Sequence, residues 1–312
     1  EAFNPKVNAV TGHQIENAQR QANEADEATA QGESRGPFHG LPVTIKEAYD
    51  WVGTPSTWGN PEWADNFPDS NSPSVDRLIG AGAIIWAKTN VPFMLGDWQS
   101  FNEIYGCTNN PWDLNRTPGG SSGGSAVSLA TGMSALEIGS DIGASIRNPA
   151  HYCGVFGHKP TMGLIPQTGH AAPGVETVVD IAVMGPLARS ANDLDQALSV
   201  LAGPDGFDAS GYRIELPEAN KKSLTDYKVG VLLDSPACAT STDLIDHLQQ
   251  TVDDLAELGV DVSQAAPQID QNEFFENYLL LLRATNGVSI GDETFNRALP
   301  GHEGWELSLI HI

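Results

Sequence analysis

Residues 117–125 read TPGGSSGGS, and residues 140–150 read SDIGASIRNPA. Four glycines bracket a serine pair, and another serine stands just past a second glycine turn. A glycine inside a helix or strand costs roughly 0.5–1 kcal/mol relative to alanine, so a cluster this dense implies that the backbone has a task there. Cradling phosphate is one such task. A P-loop ends in GK[ST], whereas this loop runs on as GGSAV, without a lysine. The dinucleotide pattern GxGxxG fails as well, because 119–124 is GGSSGG with Ser121 at its third position. Gly119–Gly123 does satisfy GxSxG around Ser121. That nucleophile elbow follows a strand, but here the polar, turn-rich TNNPWDLNRTP (108–118) precedes it, and nothing around His247 or His302 marks a partner. A flexible Gly/Ser linker is the plainest alternative, yet helix and strand patterns flank the stretch on both sides.

Outward from this stretch, apolar runs and turn residues alternate. GLPVTIK (40–46) reads as a short buried strand ending in a lysine, and AIIWAK (83–88) as another. Between them, SPSVDRLIGAGA (72–83) has a serine cap and a glycine stop, the marks of a helix. Ser122 to Met133 suits a helix, and ALEIG (135–139), VFGHK (155–159) and IAVMGPL (181–187) suit strands. SANDLDQALSVLAG (190–203) opens with Ser190 and Asp193 in capping-box-like spacing and closes on Gly203. YKVGVLLD (227–234) reads as a strand and DLIDHLQQTVDDLAELG (243–259) as an amphipathic helix, with VDV (260–262) as a strand after it. The polar, alanine-rich stretch from Pro5 to about Gly32 has helical composition. This alternation predicts an α/β fold with a mixed, largely parallel central sheet flanked by helices.

Composition narrows the function. Against 16 basic residues stand 40 acidic ones, a formal charge of −24 over 312 residues, with no basic stripe to neutralise phosphates. A nucleic-acid partner is therefore not expected. Cys107, Cys153 and Cys238 form no CxxC, which argues against a disulfide scaffold or zinc site. No run reaches the eighteen or so apolar residues of a membrane span, and no signal peptide is visible, so the expected location is the cytoplasm. The last six residues, LSLIHI (307–312), match the in-frame translation of a transposon-derived sequencing adapter. The expectation is a non-native tail on one domain, residues 1–306, that is incomplete at its C-terminus.

At this point a resemblance becomes explicit. PGGSSGGSAVSLATGMSALEIGSDIGASIRNPAHYCGVFGHKPT (118–161) resembles the signature of the amidase signature family almost throughout. GLPVTIKEAYD (40–50) is similar to the family segment that carries an essential lysine, and AIIWAKTNVPF (83–93) to its next recurring block. The resemblance implies the amidase signature fold and a Ser–cisSer–Lys triad. Ser145 would be the nucleophile, Ser121, after a cis peptide bond, the bridging serine, and Lys46 the base. Gly119, Gly120, Ser122 and Gly123 would support the loop. Ile142, Gly143 and Ala144, together with the amide of Ser145, would form the oxyanion hole, and Asp141 and Arg147 would pair to brace the turn. One departure stands out: the family usually has glycine where this chain has Ala144, whose Cβ needs a permitted φ and takes room near the acyl group.

The chemistry is coherent with these residue types. A serine hydroxyl is a weak nucleophile until a base takes its proton. A lysine is a base only when neutral, and burial is able to bring its pKa from about 10.4 to about 7–8. Lys46 ends the apolar run LPVTI, as that requires. No metal or cofactor is expected. Cys153 reads as a buried small hydrophobe, and His151, His158 and His170 as loop residues in solvent or hydrogen-bonded. Met94 to Trp98 would line the substrate pocket by family analogy, or pack in the core. The expected function is hydrolysis of a small carboxylic amide through an acyl-enzyme, with a homodimer as the candidate assembly and neither nucleic acid nor membrane as partner. Two alternatives stay open. One is an amidotransferase A-type subunit that uses glutamine within a tRNA-dependent complex, against which DIG (141–143) stands where those subunits usually carry DTG. The other is an inactive, truncated relative.

Overall fold

The apolar runs LPVTIK and AIIWAK become neighbouring parallel strands of the sheet that carries the site. In this computed structural model, residues 2–287 are described, apart from 176, 219–220, 222 and 266–267. The suspected tail at 307–312, His302 and the end of the expected 1–306 domain lie outside the described residues. Two compact units are present, one of residues 2–214 and one of 215–286.

In chain order the first unit holds α1 (Asn4–Val7), β1 (Val10–His13), α2 (Ile15–Ala30), β2 (Pro42–Lys46), α3 (Pro73–Gly80) and β3 (Ile84–Thr89). A short hairpin follows, β4 (Phe101–Asn102) and β5 (Gly106–Cys107), then α4 (Gly123–Ala130), β6 (Leu136–Asp141) and α5 (Arg147–Cys153). The unit continues through β7 (Phe156–Gly157), β8 (Val183–Ala188) and α6 (Ala191–Leu201). Its main sheet has the order β1-β3-β2-β6-β8-β7. β3, β2 and β6 run parallel, with β1 antiparallel to β3, β8 to β6 and β7 to β8. The class is the mixed α/β expected.

Strand parity sorts the two faces. Val43, Ile45, Leu136, Ile138 and Met184 pack with Val75 and Leu78 of α3 and Ala197 and Leu201 of α6. Ile45 and Ile138 are register partners and fully buried; each such side chain contributes about 1.5–3 kcal/mol by leaving water. On the other face, Ala126, Val127 and Leu129 of α4 meet Ile146, Ala150 and Cys153 around α5, together with Leu187. The predicted caps hold. Ser72 Oγ accepts from the Val75 N–H at 3.3 Å with Pro73 in the first turn, and Ser190 Oγ accepts from the Asp193 N–H at 3.1 Å.

The stretch of helical composition, residues 5–32, forms α1 and α2 with the strand β1 between them. Val10 and His13 pair with Thr89 and Ala87 of β3, so a distant strand edge, not local propensity, decides these four residues. In the second unit, β9 (Lys228–Val231) and β10 (Asp261–Gln264) pair in parallel around α7 (Thr242–Glu257), and α8 (Gln271–Gly287) follows.

Candidate active site

Lys46 ends β2, and its side chain is fully buried. Its Nζ lies 2.6 Å from Ser121 Oγ, 2.9 Å from Ser140 Oγ and 3.5 Å from the Ser140 carbonyl oxygen. Burial pushes the Lys46 pKa from 10.5 down to about 7, against the opposing pull of Asp141 and Glu137. A neutral amine has two N–H groups and one lone pair. In the observed pattern Nζ donates to Ser121 Oγ as well as to Ser140; in the neutral amine the lone pair is able to take a proton from Ser121 instead.

Below Lys46 the sheet meets α4 through buried hydroxyls rather than hydrocarbon. Thr89 Oγ1 lies 2.5 Å from Glu137 Oε1 and 2.9 Å from Ser125 Oγ, and Thr44 Oγ1 lies 3.2 Å from Ser128 Oγ. Burial pushes the Glu137 carboxyl up to about 8, although Thr89, Ser125 and the Ile138 amide favour its anion.

The loop that carries Ser121 answers the question set by its glycines. Gly119 has φ +83°, the left-handed region that residues with a Cβ rarely adopt. A Cβ on Gly120 would run into the backbone of Asp97 and Trp98. The Gly120–Ser121 peptide bond is cis, as the resemblance implied. The Ser122 N–H donates to the Ser145 carbonyl oxygen at 3.1 Å, which fastens this loop to the second serine turn.

That turn is organised by Asp141. Its carboxylate accepts from the amides of Ala144, Ile146 and Arg147 at 3.0, 3.0 and 3.2 Å and from Arg147 Nε and Nη2 at 3.1 and 2.8 Å. Burial alone would raise its pKa, but the bonds from Arg147 and the Ile146 amide outweigh it and hold the carboxyl below its usual range. Asp141→Ala is expected to destabilise the protein by about 2–4 kcal/mol at pH 7, because buried amides lose their acceptor. Urea titration reads this. In the parent protein the same contribution is present above about pH 4 and is lost as pH falls through the depressed native pKa.

Among the amides expected to form the oxyanion hole, that of Ala144 is already engaged by Asp141. Those of Ile142, Gly143 and Ser145 have no protein acceptor among the described residues. Ala144 has φ +70°, so its Cβ is carried in the left-handed region. Ser145 lies between this turn and α5, 9% exposed.

Three residues were not singled out by sequence: Ser140, Glu137 and Thr89, all within the polar network around Lys46. Cys153 is buried as expected, and burial raises its thiol pKa to about 12. His151 departs from the expected loop, since it lies in α5, and His170, in a loop as expected, is out of solvent. It is buried against Tyr49 and Trp58, with ring centroids 4.6 and 5.3 Å away, and burial takes its pKa down to about 3.

Comparison with known proteins gives the family. The family model described as Amidase matches residues 1–293. An acylamidase of Rhodococcus erythropolis is 38% identical over 274 residues, covering 86% of this chain and 56% of that protein. The A-type subunit of a glutamyl-tRNA(Gln) amidotransferase from Acaryochloris marina is 34% identical over 264 residues, covering 83% and 54%. A solved fatty acid amide hydrolase superposes with TM-score 0.81 at 27% identity, over 89% of this chain and 49% of that one. The chain thus spans about half the length of these relatives. With the signature loop, the buried lysine and the second serine turn joined in one fold, the chain belongs to the amidase signature family.

Proposed function

We propose that this chain hydrolyses a carboxylic amide to an acid and an amine or ammonia through an acyl-enzyme on Ser145. The observation that carries this reading is the buried Lys46 Nζ, 2.6 Å from Ser121 Oγ. Neutral Lys46 draws the Ser121 proton as Ser121 takes that of Ser145, and Ser145 Oγ attacks the amide carbon. The carbonyl oxygen becomes an oxyanion that the free amides of Ile142, Gly143 and Ser145 are available to bind; one such donor is worth about 2.7–4 kcal/mol of transition-state stabilisation. Collapse breaks the C–N bond, and the departing nitrogen receives the proton back through Ser121 from the Lys46 ammonium. Water then attacks the ester, gives its proton along the same path and regenerates Ser145.

Both compact units are read as parts of one amidase signature domain, since the family match runs from residue 1 to 293. A cytoplasmic setting is supported by Cys107, Cys153 and Cys238 all being free thiols. The amidotransferase relative offers the competing reading, ammonia transfer to a charged tRNA, which the net charge of −24 disfavours.

The test is covalent trapping. A fluorophosphonate probe is expected to label Ser145, located by peptide mass spectrometry, and an aliphatic or aryl amide panel to compete with it. Labelling elsewhere, or competition by glutamine alone, would reject the amidase reading.

A further inference from the structure

Trp98 joins the two serine-bearing loops. Its neighbour Gln99 bridges Gly119 in a parallel pairing, and Thr117 Oγ1 donates to the Trp98 carbonyl oxygen at 2.8 Å. Gly120 packs so closely on the Asp97–Trp98 backbone that no Cβ fits there. From this anchored position the indole Nε1–H donates to the Gly143 carbonyl oxygen at 2.9 Å.

The Gly143 carbonyl and the Ala144 N–H belong to one peptide plane. Trp98 holds one edge of it, and Asp141 Oδ1 holds the other at 3.0 Å. A plane held at both edges is fixed, whereas one held at a single edge pivots. A drive to pivot is built in, because Ala144 at φ +70° sits in the region that L-residues with a Cβ avoid. The amides of Gly143 and Ser145 lie on either side of this plane, so its tilt sets the angle at which they converge. Asp141 has further donors from Ile146 and Arg147 and keeps its place whichever way the plane tilts.

We infer that Trp98 is a positioning residue whose indole N–H latches the strained Gly143–Ala144 peptide so that the flanking amides converge on the substrate oxygen. The inference rests on the amidase reading for its catalytic consequence and on geometry alone for the latch. The latch is needed because residue 144 carries a Cβ, so the two positions are energetically coupled.

The test is a double-mutant cycle on the enzyme, with Trp98→Phe, Ala144→Gly and both together. Trp98→Phe keeps the bulk and removes the donor. It is expected to lower kcat about tenfold, the loss of one hydrogen bond's net worth, with KM changed less than about threefold and the pH profile unmoved. In the Ala144→Gly background, where glycine removes the drive to pivot, the same change is expected to cost less than about threefold. Equal losses in both backgrounds, or unchanged kcat, overturn the inference. Amide hydrogen exchange at Ala144 gives a second readout independent of turnover. Trp98→Phe is expected to speed exchange at residue 144 in the Ala144 background and by a smaller factor in the Ala144→Gly background, each compared with its own parent. Unchanged exchange overturns the latch itself, while normal coupling in exchange without any turnover by the parent would sink only the amidase reading.

Discussion

Ser145→Ala is expected to lower kcat on any amide substrate by about a thousandfold or more, the scale seen when a catalytic nucleophile is deleted, and to abolish labelling by a fluorophosphonate. The effect should be this large because no other hydroxyl among the described residues combines the same two features. Ser145 adjoins the free amides of Ile142 and Gly143 and has its own. Its backbone is tied to the Ser121 loop through the Ser122 N–H. Ser122 itself is fully buried, with its Oγ 3.4 Å from the Ser140 carbonyl oxygen. The fold should be untouched, since removing one partly accessible hydroxyl usually changes stability by less than about 1 kcal/mol. Retained turnover with retained labelling at another residue would move the nucleophile elsewhere and dismantle the proposed mechanism.

Lys46→Met should separate activity from stability. Turnover is expected to vanish, because neither Ser121 nor Ser145 then has a base. In the parent enzyme, activity should rise as pH passes upward through about 7, where the Lys46 amine becomes neutral. The stability consequence has the opposite sense. A pKa lowered from 10.5 to about 7 means that the native state resists the proton, at a cost on the order of 5 kcal/mol. That cost is present in full below about pH 7, shrinks as pH rises from there, and is gone above the unfolded value near 10.4. Lys46→Met removes it, offset in part by the partners lost to Ser121 and Ser140. The variant's stability relative to the parent is therefore expected to be most favourable near pH 6 and to decline steadily towards pH 10, as read by chemical denaturation at each pH. A flat difference would show that Lys46 is not held neutral by burial.

Much of the architecture was legible because its signals are local. LPVTIK and AIIWAK are apolar runs bounded by turn residues, and they form β2 and β3. Ser72 followed by proline and Ser190 three residues before Asp193 are caps that depend only on neighbouring amides. The polar lead segment hid its strand for the converse reason: β1 exists through Thr89 and Ala87, some eighty residues away. RNPAHYC carries too few apolar residues to advertise α5, whose buried side, Pro149, Ala150 and Cys153, is recognised only once α4 lies against it. At the site, Lys46 came from the resemblance of residues 40–50 and Ser121 and Ser145 from that of the signature, and Lys46 Nζ lies 2.6 Å from Ser121 Oγ. The commitment of the Ala144 amide to Asp141, the partnership of Ser140 with Lys46, and the indole of Trp98 on Gly143 are tertiary facts. No spacing rule within a single chain encodes them.

The small alcohols between β2, β3 and α4 have one more consequence. Thr44, Thr89, Ser125 and Ser128 are shut away from water and bonded to one another and to Glu137, yet each hydroxyl is able to serve as donor or acceptor. Together they act as a miniature solvent sealed beneath the amine. When charge shifts above them, they can exchange these roles with no backbone displacement. A hydrocarbon floor would offer a migrating proton no dipoles with which to exchange donor and acceptor roles.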